Sequence, residues 1–91
     1  MEGVELTAQI LREEKGWIAR AQVKGLPFKE TVARFSIIRA SGEGKWQAEA
    51  PLTHAYGDWW TAEVLLAPPE DNVEDAYIIV ALLPRETNPS L

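Results

Sequence analysis

Few side chains in this sequence have the chemistry for catalysis. His54 is the sole histidine, set in the run Pro51-Leu52-Thr53-His54-Ala55-Tyr56. A general base needs a nucleophile and an orienting carboxylate within hydrogen-bond reach. Neither Ser36, Ser41, Ser90 nor any threonine stands in a nucleophile-elbow sequence, so His54 reads as a solvated loop residue. Glu70, Asp71, Asn72, Glu74 and Asp75 crowd one short stretch and offer the oxygen donors that calcium accepts. They lack the Asp-x-Asp-x-Asp-Gly spacing of a calcium loop, so a hydrated acidic turn is expected. Gly42-Glu43-Gly44 precedes no helix that could cradle a phosphate. With no cysteine in the chain, thiol nucleophiles, thiolate zinc sites and disulfides are excluded. The reading is of a protein that is not an enzyme, with no catalytic residue, metal or cofactor.

The aromatic residues are more informative. Four tryptophans occur in 91 residues. Trp17 and Trp60 fall on the apolar phase of alternating segments and read as core. Trp59 must point opposite to Trp60, because neighbouring strand residues alternate faces. Trp59, Trp46 and Tyr56 are therefore the candidate binding residues, with Arg34 and Arg39 beside them. Tyrosine, tryptophan and arginine dominate protein interface hot spots, which points to a protein partner. Stacking on sugar rings is the alternative use of such a patch. A second candidate surface is the polar phase carrying Arg20, Gln22, Lys24 and Arg34.

Strands must position these side chains. Residues 4–10 alternate with period two, with Val4, Leu6, Ala8 and Ile10 on one phase. Gly16 ends a turn, and residues 17–24 alternate again, with Trp17, Ala19, Ala21 and Val23 inward. Gly25-Leu26-Pro27 stops that strand. Residues 31–40 are rich in β-branched and aromatic side chains. Ser41-Gly42-Glu43-Gly44 reads as a hairpin turn leading to a short strand at 46–50, then a loop at 51–57 and a strand at 58–66. Residues 76–83 are nearly all apolar, which predicts a central strand covered on both faces. Tyr77, Ile78, Ile79 and Val80 favour strand over helix there. Short strands with turns at this spacing suggest a sandwich or small barrel, and the expected form is a small antiparallel β-sandwich of six to seven strands. Residues 1–84 read as one domain and 85–91 as a flexible C-terminal tail.

Net charge is −5, which argues against nucleic acid or an anionic membrane as partner. Residues 1–45 carry eight basic and six acidic groups, and residues 46–91 carry one and eight, giving +2 against −7. Interleaved strands would dissolve that asymmetry in space. The opening Met1-Glu2-Gly3-Val4-Glu5 lacks the basic and apolar regions of a signal peptide. A cytoplasmic location is expected over export. Unpaired sheet edges make a homodimer a natural partner arrangement.

Four segments also carry a resemblance: Ala33-Arg34-Phe35-Ser36-Ile37-Ile38-Arg39, Gly44-Lys45-Trp46-Gln47, Gly57-Asp58-Trp59-Trp60 and Asp75-Ala76-Tyr77-Ile78-Ile79-Val80. Over residues 31–84 the sequence resembles a small Ig-like, all-β accessory domain appended to bacterial multidomain proteins. That resemblance implies an Ig-like sandwich and a non-catalytic binding role, and carries no functional residues with it. Asp75-Ala76-Tyr77 is also similar to the tyrosine corner of immunoglobulin-type sandwiches, one residue short in spacing and without the disulfide.

Overall fold

A computed structural model describes residues 3–40 and 45–85. These form seven strands, β1 (Glu5–Glu13), β2 (Gly16–Lys24), β3 (Thr31–Arg39), β4 (Lys45–Pro51), β5 (Thr53–Tyr56), β6 (Trp59–Ala67) and β7 (Ala76–Pro84). One sheet has the order β1-β2-β6-β5 and the other β4-β3-β7, and every pairing is antiparallel. The expected hairpin turn at 41–44 lies outside the described residues, as does the expected tail at 85–91 apart from Arg85, whose N–H donates to the Glu30 carbonyl.

Period-two alternation sets which faces meet. The inward phase of β2 puts Ala19, Ala21 and Val23 in one buried cluster with Ala62 of β6, Ala33, Phe35 and Ile37 of β3, and Leu52. Residues of both sheets share this core. Ala8, Ala21 and Ala62 pair in one row across β1, β2 and β6. Such small side chains leave depth for a large one from the facing layer, and Phe35 is the largest fully buried side chain. Ile18 is also buried although it sits on the opposite phase, between Leu11 and Leu65 of the flanking strands. A register shift at Trp17/Ile18 breaks the simple alternation there.

The structure corrects three sequence expectations. The stretch 51–57 is not one loop: β4 runs to Pro51, and β5 forms a separate strand beside β6. It is only four residues long and exposed throughout, so it carries no apolar alternation to betray it. β2 and β3 lie in different sheets, so Arg20, Gln22 and Lys24 do not share a surface with Arg34. Most important, β7 is not central. Among the described residues it pairs with β3 alone, and its outward Tyr77 and Ile79 are exposed.

The charge asymmetry dissolves as interleaving predicts. Both sheets mix strands from the two halves, and Arg20–Glu63, Arg34–Glu49 and Arg39–Asp75 ion pairs join them. All are partly solvent-exposed, where each contributes at most about 1 kcal/mol.

Candidate functional site

His54 and the acidic stretch are used structurally. His54 lies on β5, directly opposite Trp60. Its ring meets the Trp60 ring edge-on with centroids 5.1 Å apart, and Nε2 is 2.9 Å from the Gly57 carbonyl oxygen. It braces the β5–β6 hairpin. The acidic stretch is tied down through its backbone. Trp17 Nε1 donates to the Asp71 carbonyl at 2.6 Å, Arg12 to that of Pro69 at 3.2 Å, and Arg39 to that of Asn72. Arg39 Nε also lies 3.5 Å from Asp75 Oδ1, and the Arg12 guanidinium stacks 5.3 Å from the Trp17 ring. Among the described residues, no three His, Asp or Glu side chains converge to hold a metal ion.

This clamp yields a prediction. Trp17→Phe keeps the buried ring and deletes the donor to Asp71, leaving a half-buried carbonyl without its partner. About 1–2 kcal/mol of stability should go, and amide hydrogen exchange should quicken at 70–75 before it does in β2. Unchanged exchange in that loop would mean that Trp17 does not anchor it.

The five candidate binding residues are scattered. Tyr56 and Trp59 do meet. The two-residue turn at Gly57-Asp58, with Gly57 at φ +53°, closes the β5–β6 hairpin and sets them directly opposite each other. Opposed residues on an antiparallel pair share a face with Cβ atoms about 4.5–5.5 Å apart. Lys24 flanks Trp59 on the other side, so Tyr56, Trp59 and Lys24 form one row on the outer face of the four-stranded sheet. Tyr56 is 67% exposed, and Trp59 is half-buried.

Trp46 is not part of that row. It is the second residue of β4 in the other sheet, opposite Ile37, at the end remote from the Pro51–Thr53 crossing that leads to β5. Arg34 is on the outer face of β3, paired with Glu49 at 2.8 Å. Arg39 ends β3 and is committed to the acidic loop. The proposed aromatic trio is therefore a pair, and neither arginine belongs to it.

Sequence reasoning missed a different surface. On the outer face of the three-stranded sheet Ile38 pairs with Tyr77, and Ile79 is the next outward residue of β7. They are 37%, 65% and 56% exposed respectively. Ala81 and Leu83 continue the row beyond Ile79. The Arg34–Glu49 ion pair borders the apolar strip. Beside it an open concavity of about 570 Å³ is lined by Val32, Arg34, Pro51, Leu83 and Arg85, among others. The signal was present in the sequence, as the apolar run covering both phases of residues 76–83, but a buried strand and an unpartnered one produce the same run.

These features define an all-β protein of two antiparallel sheets. No helix among the described residues is long and apolar enough to cross a membrane. Compared with known proteins, the chain matches no family model, no curated protein and no solved structure.

Proposed function

We propose that this chain is a non-catalytic protein-binding module built as an Ig-like β-sandwich, of the accessory kind that its sequence resembles. Strand order supports the architecture. An immunoglobulin constant-type sandwich places its first, second, fifth and fourth strands in one sheet and its third and sixth together in the other. Reading β4 as a strand added beside β3, the orders β1-β2-β6-β5 and β4-β3-β7 follow that scheme. In it β7 is the sixth strand.

One observation carries the binding role: Ile38, Tyr77 and Ile79 lie exposed and contiguous on a sheet face. Apolar patches of this kind with a polar rim mark protein contact surfaces. Ile38→Lys, on β3 and away from the free edge of β7, is expected to abolish capture of the partner and to shift stability by no more than about 0.5 kcal/mol. The measurement is retention on immobilised wild type against the variant, followed by calorimetric titration with the purified partner. Equal binding by both proteins would overturn the assignment of this face.

Sugar binding is the second reading, and the Tyr56–Trp59 pair favours it. Glycans that stack there should quench the Trp59 fluorescence, and a Trp59→Phe variant should lose the quenchable component.

A further inference from the structure

We propose that two copies of this chain join β7 to β7, antiparallel about Val80, into one continuous six-stranded sheet; this goes beyond the binding reading, whose partner docks on the sheet face and not on this edge. The first observation is how differently the four sheet edges are protected. Unpaired strand edges recruit other strands unless they are short, bulged, charged or proline-bearing. β5 has four residues and a register irregularity. β4 carries Glu49 and Pro51. β1 carries Glu5, Arg12 and Glu13. β7 spans nine residues without a charge, and its sole proline is the last. The layer also stops short on this side, because Leu6 and Ala8 on the inward phase of β1 remain exposed.

The second observation fixes the register. The Ala40 N–H donates to the Asp75 carbonyl and the Arg85 N–H to that of Glu30. In an antiparallel ladder the bonding pairs alternate, so Asp75, Tyr77, Ile79, Ala81, Leu83 and Arg85 are the residues bonded to β3. The intervening residues face the free edge. Of these, the Ala76 N–H is already bonded to the Val73 carbonyl, and Pro84 has no N–H. Among the described residues the free donors are thus Ile78, Val80 and Leu82, a set symmetric about Val80.

A two-fold axis through Val80 satisfies all three. Val80 pairs with Val80 of the second copy, Ile78 with its Leu82, and Leu82 with its Ile78, each pair exchanging two N–H···O bonds. Centring the pair on Ile78 would call on the occupied Ala76 donor, and centring it on Leu82 would call on Pro84. In the Val80 register no like charges oppose each other. Asp75 of each copy instead meets Arg85 of the other, and both residues are exposed. The contact is isologous and closes at two copies. Tyr77, Ile79, Ala81 and Leu83 of both strands then form a single apolar outer face.

Sedimentation velocity across a concentration series tests the association. Wild type is expected to show a monomer–dimer equilibrium. Arg85→Glu should raise the dissociation constant about tenfold, and Arg85→Lys should leave it nearly unchanged. The chain has no cysteine, so the register can be read by disulfide trapping. Ile79 of one copy opposes Ala81 of the other in a non-bonded pair with Cα atoms about 4.5 Å apart, within disulfide reach. A mixture of Ile79→Cys and Ala81→Cys proteins should therefore cross-link to each other in preference to themselves. A monomer at every concentration, or a dimer that traps without this preference, overturns the proposal. A monomer that still loses its partner through Ile38→Lys leaves the binding module standing without the dimer. A trapped dimer that captures nothing supports the β7 pairing and removes the separate partner.

Discussion

Phe35→Ala is expected to remove about 3–5 kcal/mol of folding stability, the range for truncating a fully buried aromatic side chain. A domain of this length holds about 5–15 kcal/mol in total, so this single change brings it near the edge of unfolding. Phe35 has no exposed surface and belongs to the cluster that joins β2, β3 and β6. Its neighbours there include Ala19, Ala21, Ala33 and Ala62, which are too short to collapse into the void. The cost should therefore lie toward the upper end of the range. Urea denaturation reads it as a fall in midpoint at unchanged slope. A loss below about 1 kcal/mol would mean that Phe35 is not packed between the two sheets.

Gly16→Ala should cost about 2–4 kcal/mol, for two reasons that act together. Gly16 has φ +135°, which an L side chain adopts only with strain of about 1–3 kcal/mol. A Cβ at this position would also run into the carbonyl oxygen of Ala67 and crowd Leu65. Both obstacles belong to β6, so the methyl group would push apart the β2–β6 seam where its register shifts. Gly57→Ala is the natural control. Its φ is +53° and nothing lies within 4 Å of the added carbon, so only the backbone term remains, about 1 kcal/mol. Equal losses at the two sites, measured in the same denaturant series, would show that the Ala67 contact relaxes freely.

Several elements could be read from residue order alone. Alternation located β1, β2 and β6 with the correct inward phase, and β-branched content located β3. Trp59 was placed outward and Trp60 inward by the two-residue period, and both hold. The failures share a physical origin. Alternation reports a contrast between two faces, and β5 has none because all four residues are exposed. Residues 76–83 have none for the opposite reason. An apolar run states that both faces of a strand favour burial, without saying whether this chain or another supplies the cover. The grouping of Trp46 with Trp59 failed because strand order is set by long-range pairing. Trp46 and Tyr56 are ten positions apart in sequence, yet the crossing at Leu52 sends them to different sheets.

That interleaving also governs how the chain becomes folded. Arg20 finds Glu63 at a sequence separation of 43, and β3 waits equally for β7. The local hairpin β1–β2 can form within microseconds, but neither sheet closes around Phe35 until β6 and β7 are available. Topologies dominated by distant pairings fold in milliseconds to seconds. On a ribosome adding about 5–20 residues per second, β3 would emerge and wait for seconds with its apolar face uncovered. Over that interval the exposed apolar surface leaves the nascent chain open to aggregation until β7 arrives.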